Sequence, residues 1–215
     1  MLTRTMKEPA NTWTHFIPFL ASGAGLLFLS LNAKNDLSKL TVMLVYAFSV
    51  TLLYGASSLY HWRRTTAERE LMLRKIDHMT IYVLIAGSYT PVLYYGLSGA
   101  WRWSMLGTVW GLAALGMILK IWFVGAPRWV TTAFYLALGW IAVIPFYQLV
   151  HTLPLGALIL MVLGGLAYTF GAVIYGTKAF SLPKLHLGFH EIFHLFVALG
   201  SLIHFFMIAI YILPM

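Results

Sequence analysis

Cysteine is absent from this 215-residue chain, and charge is scarce: Asp, Glu, Lys and Arg make up 9% of it, against roughly 25% in a soluble domain. Without cysteine there is no disulfide, no thiolate metal site and no cysteine nucleophile, so a metal must be held by imidazole, carboxylate or hydroxyl groups. Acidic residues number 6 against 14 Lys and Arg. The excess does not point to nucleic acid, because the basic residues lie in short connections between apolar runs and not along one face. Long polar linkers and low-complexity stretches are also missing, and no soluble protein partner is implied.

Apolar residues dominate instead, at 60% of the chain, with a mean hydropathy of +0.82. A spanning helix needs about 20 apolar residues to cross ~30 Å of hydrocarbon. Hydropathy runs place spans near residues 16–32, 41–61, 77–97, 104–124, 129–150, 154–176 and 187–213. The expectation is an all-α membrane protein, a seven-transmembrane helix bundle forming one domain over residues 1–215. The first run, near Phe16, follows Arg4, Lys7 and Glu8 and has no small-x-small cleavage site, so it reads as a retained helix. Gly107 with Gly111, and the Gly164-Gly165 pair, offer close helix packing and no chemistry. Pro18, Pro91 and Pro145 fall in or at the start of spans, where kinks are tolerated if neighbours satisfy the freed carbonyls. Trp101, Trp103, Trp122 and Trp129 lie near span ends, as interfacial aromatics do.

Alternating the connections gives the orientation. With the N-terminus inside, the cytoplasmic segments hold Arg4 and Lys7; Arg63, Arg64, Arg69, Arg74 and Lys75; Lys120 and Arg128; Lys178 and Lys184, eleven in all. The opposite side holds three, Lys34, Lys39 and Arg102. That asymmetry favours a cytoplasmic N-terminus, an extracytoplasmic C-terminus and an odd number of helices.

Ionisable groups inside spans are costly and mark function. Ser57 and His61 stand one turn apart at the cytoplasmic end of the second span. Asp77 begins the third. His186, His190 and His194 repeat every four residues along the start of the seventh, with His190 about 9 Å and His194 about 15 Å past Lys184 at 1.5 Å per residue. Three imidazoles and a water make an open, catalytic type of zinc site. His61, His190 and His194 are therefore the expected zinc ligands, with Asp77 accepting a hydrogen bond from the water and Ser57 donating to it or to a polarised substrate oxygen. Alternatives stay open: Asp77 pairing with Lys75 or Arg74, and Ser57 bonding its own helix carbonyl. His204, His151, His186 and His78 read as packing residues, and Glu191 as a loop-pairing group. Glu8, Asn11 and His15 form one polar face of a helical start.

Four marks in order, E-x-x-N-x-x-x-H at Glu8, Asn11 and His15, S-x-x-x-H at Ser57 and His61, KIDHMTIYVLIAGSYTP around Asp77 and H-x-x-x-H at His190 and His194, resemble the hemolysin III proteins of bacteria, which belong with the progestin and adipoQ receptors. The resemblance runs from Glu8 to the last span. It implies seven helices with N inside, in a bacterial plasma (inner) membrane, and a zinc ion at His61, His190 and His194 with Asp77 on its water. Its link to alkaline ceramidases suggests hydrolysis of a membrane lipid amide or ester, with Asp77 as general base. The soluble N-terminal domain of the animal receptors is not matched, so adiponectin or steroid binding is not implied.

A non-enzymatic sensor or homeostasis protein stapled by zinc is the alternative. A pore-forming cytolysin ranks lowest, since seven obligate apolar spans cannot first exist as a soluble toxin. A zinc transporter would need further ligands across the bilayer, where only His204 and His151 are available.

Overall fold

A computed structural model describes residues 6–185 and 187–215, which leaves Arg4 and His186 outside the described residues. Helices make the whole framework: α1 (Pro9–Ala33), α2 (Leu37–Trp62), α3 (Ala67–Gly96), α4 (Gly99–Trp122), α5 (Arg128–Gly139), α6 (Phe146–Thr152), α7 (Leu155–Thr177) and α8 (Phe189–Met207). The last helix continues as a single π turn over Ile208–Ile212.

Local chemistry sets the boundaries. Pro9 occupies the first turn of α1, where its missing N–H costs nothing. Asp36 caps α2 by accepting from the Lys39 N–H at 3.0 Å. At the start of α8 the Glu191 carboxylate accepts from the Gly188 N–H at 2.9 Å, so this residue closes the helix start.

Helix directions alternate. At one end the Glu8 N–H donates to the His61 carbonyl at 3.0 Å, Tyr135 on α5 donates to the His78 carbonyl at 2.9 Å, and Arg128 lies 5.0 Å over the Phe189 ring. At the other end Thr152 donates to the Gly96 carbonyl at 2.6 Å, and Gly156 faces the Tyr211 ring. The first and last described residues therefore lie at opposite ends of the bundle.

Five helices, α1, α2, α4, α7 and α8 with its π turn, are long and apolar enough to cross a membrane; the α5–α6 pair makes six if it counts as one span. The 30-residue α3 is more polar and buries Asp77, Thr80 and Thr90 against its neighbours. Large apolar side chains such as Ile17, Leu20, Phe134, Leu155 and Phe170 face outward, and Trp101, Trp103, Trp122 and Trp129 are exposed at helix ends. That outer surface suits lipid and not water, and the protein is a multi-pass membrane protein.

Three sequence expectations change. The span placed at 129–150 is broken: the helical stretches Arg128–Val143 and Phe146–Thr152 meet at 52°. Pro145 stands at the break, where it removes an N–H and crowds the preceding turn. Tyr89 on α3 repairs the damage, donating to the Gly139 carbonyl and accepting from the Ala142 N–H at 3.3 Å. Next, α3 begins at Ala67, ten residues before the apolar run, because Ala67 to Lys75 is rich in strong helix formers. Finally, nothing packs within 4 Å of a side chain built at Gly107 or Gly111, so these glycines make no close helix contact among the described residues. Tight approaches occur at Gly164 of α7, as expected, where a Cβ would overlap the His204 ring, and at Gly87 of α3, where it would overlap the Ser49 side chain of α2.

Candidate metal centre

The helix phases of α2 and α8 decide which imidazoles meet. His190 and His194 are one turn apart and project from α8 to the same side, while His61 reaches them from the last turn of α2. The ring centroids stand 5.0 Å apart for His61 and His190, 5.0 Å for His61 and His194 and 4.7 Å for His190 and His194. One nitrogen from each lies within 4.8 Å of the other two, so the trio can hold a metal ion. His61 is 0% and His194 is 2% exposed.

The outward ring atoms are already engaged. His61 donates its Nδ1–H to Glu8 Oε2 at 2.5 Å, and Asn11 donates to the same oxygen at 3.2 Å. Thr14 Oγ1 gives its proton to the Asn11 carbonyl at 3.0 Å, so it accepts from His194 Nδ1–H, also at 3.0 Å. Both rings are thereby set with Nε2 as the free lone pair, and buried His61 Nε2 has no hydrogen-bond partner among the described residues. An unpartnered imidazole nitrogen within reach of two others fits a metal ion, whose histidine ligands characteristically anchor their second nitrogen on a carboxylate or hydroxyl. The hydrogen bond with His61 is the largest cause holding the Glu8 carboxyl down at about 2, against the opposing effect of partial burial.

Residues 6–8 are strapped over this end. Lys7 N–H donates to the Trp62 carbonyl at 3.1 Å, Lys7 Nζ sits 3.6 Å over the Tyr60 ring and 3.4 Å from Glu70, and Arg64 holds the Met6 carbonyl at 3.1 Å. The strap places Glu8 on His61 and stacks His15 on His194, with centroids 3.6 Å apart. Neither ring nitrogen of buried His15 has a partner among the described residues.

Asp77 and Ser57 complete the neighbourhood. Asp77 of α3 and Ser57 of α2 are both buried, 7% and 1% exposed. Both line a cavity of about 210 Å³ together with His190 and His194. Of the other described histidines, His78 and His204 line the same cavity outside the trio, His204 bonding the Met161 carbonyl at 3.3 Å, and His151 bonds the Tyr147 carbonyl at 2.7 Å. The polar face at Glu8, Asn11 and His15 was visible in the sequence, but its attachment to His61 and His194 was not. Thr14 carried no signal at all, since a threonine in a first turn is ordinary.

The chain is similar along its length to known proteins. The chain is 35% identical to Hemolysin-3 of Bacillus cereus, covering 99% of this chain and 95% of that protein. It is 38% identical to the Hemolysin-3 homolog of Bacillus subtilis (strain 168), over 96% and 95%. At greater distance it is 26% identical to the adiponectin receptor protein of Drosophila melanogaster, over 94% of this chain and 50% of that one. The sequence profile described as haemolysin-III related matches residues 3–205. On these matches the chain belongs to the haemolysin-III family.

Proposed function

We propose that the protein is a zinc-dependent hydrolase of a membrane lipid amide or ester. It acts as one domain of seven spans in the bacterial plasma membrane, with α3 and the bent α5–α6 pair both crossing. In this reading His61, His190 and His194 hold zinc, and the N-terminus with the histidine cluster faces the cytoplasm. The basic residues of the charge-rich connections lie at that end.

The observation that carries the reading is the placement of a buried carboxyl, Asp77, on the wall of the cavity that His190 and His194 also line. A metal staple needs neither a cavity nor an extra acid. Zinc held by three imidazoles supplies a Lewis acid and a more acidic water at neutral pH. The protein's own groups do the rest. Asp77 takes a proton from the attacking water as that oxygen adds to the acyl carbon, then returns it to the leaving nitrogen or oxygen. The carbon–nitrogen or carbon–oxygen bond breaks, giving a fatty acid and an amine or alcohol. Ser57 donates to the acyl oxygen, and the apolar walls hold the chain and exclude bulk water.

A non-enzymatic sensor is the second reading, favoured by the way Glu8, Thr14, His61 and His194 tie α1, α2 and α8 together. Metal analysis of purified protein, followed by mass spectrometry of a membrane lipid extract incubated with it, separates the two. The hydrolase predicts one zinc per chain and release of fatty acid that stops on chelation. Zinc without lipid turnover leaves the sensor, and absence of zinc removes both.

A further inference from the structure

The cavity beside the histidines has a second polar wall that hydrolysis does not use. Arg74 of α3, Lys120 of α4 and Arg128 of α5 line it. Lys120 is 4% exposed, and its Nζ donates to Thr131 Oγ1 at 2.8 Å. Among the described residues the ion pairs involve only Lys7, Glu8, His61 and Glu70, so none of the three cations meets a carboxylate. A covered ammonium whose protein partner is a neutral hydroxyl is poorly compensated unless an anion shares its site. Charge sidedness explains arginines at the rim, but not a lysine turned inward.

The other two cations are placed and not merely present. Arg128 lies 5.0 Å over the Phe189 ring and 5.7 Å over that of Tyr175, contacts that hold the guanidinium at the cavity mouth. Arg74 precedes Asp77 by three residues, a rise of about 4.5 Å, so the two share a face of α3. Beyond them the wall is apolar, with Ile81, Leu84 and Val92.

We propose that Arg74, Lys120 and Arg128 form a seat for the phosphate of an anionic phospholipid, with the acyl linkage lying at the histidine cluster. Two guanidinium forks and one ammonium suit a tetrahedral oxyanion. In a glycerophospholipid the phosphate is a few bonds from the ester carbonyls, which matches a seat one helical turn from Asp77. The placement of the linkage rests on the hydrolase reading; the anion seat does not.

The test is calorimetric binding to the full chain in a non-ionic detergent, with dioctanoyl phosphatidate, dioctanoylglycerol and inorganic phosphate as probes. Phosphatidate is expected to bind at least about tenfold more tightly than dioctanoylglycerol, an increment that one charge-assisted hydrogen bond can supply. Lys120→Gln and Arg128→Gln each erase that preference and leave dioctanoylglycerol binding unchanged, while Lys120→Arg keeps it. Arg128→Gln, at the rim, carries the test if Lys120→Gln does not fold. Equal affinity for the two lipids overturns the seat, and displacement of phosphatidate by equimolar inorganic phosphate overturns its assignment to a lipid. Preference for phosphatidate without turnover supports the seat and removes the hydrolase; turnover of neutral lipid without preference overturns the seat alone.

Discussion

Glu8 and His61, 53 positions apart in the chain, share a 2.5 Å hydrogen bond from the imidazole Nδ1–H to the carboxylate. This bond fixes the tautomer of a candidate metal-ligating ring from a residue that precedes the first helix. Replacing such a partner characteristically weakens metal binding by about 10–100-fold. Glu8→Gln should therefore bind zinc more weakly by that factor, measured by competition with a chelator. Unchanged affinity would show that the pair is structural only.

Removing a ligand is more severe. His61→Ala, His190→Ala and His194→Ala should each lose stoichiometric zinc by elemental analysis, because the two remaining nitrogens no longer define a site. His204→Ala should retain it, since His204 packs on Gly164 and bonds the Met161 carbonyl. Equal zinc in all four variants would sink the assignment.

Asp77→Asn keeps the size of the side chain but cannot take a proton. Zinc should be held and lipid turnover should fall by about 10²–10⁴-fold, the usual loss of general-base assistance. Full turnover with zinc in place would exclude Asp77 as the base. Loss of zinc would make it a fourth ligand and the site a closed one.

The contact that sets α2 against α3 can be probed without touching the site. Gly87→Ala drives a methyl into the Ser49 side chain, an overpacking worth about 1–3 kcal/mol. Thermal unfolding in detergent should drop accordingly, and Ser49→Gly in the same chain should restore much of it. If Gly87→Ala unfolds like the parent, the close approach is wrong.

Sidedness is testable by fusion. A reporter after Arg69 should be cytoplasmic and one after Met215 extracytoplasmic. The same side for both would mean an even number of crossings.

The histidine trio was legible because three independent regularities coincide: a four-residue repeat at His190 and His194, a polar pair at Ser57 and His61, and the charge asymmetry that puts both at one end. Other features lay outside such patterns. Hydropathy counts apolar atoms and is indifferent to backbone geometry, so the run from Trp129 to Val150 read as one helix although Pro145 bends it. Helix that extends past the apolar run, as α3 does from Ala67, is equally invisible to it. Glu8, Thr14 and Lys120 act through partners set by how distant helices dock, and no local spacing announces that. Lys120 in particular counted as one more cytoplasmic charge, whereas it is turned into the cavity and bonded to Thr131.

Thr14 and His194 meet across 180 positions of sequence. A ribosome adding about 5–20 residues per second finishes α8 on the order of 10–40 s after α1. The Glu8–His61 pair can form while most of the chain is unmade, but two of the three imidazoles arrive with the last helix. A nascent chain therefore offers no complete trio until synthesis is nearly over, so any metal held by all three imidazoles would have to enter after α8 has docked.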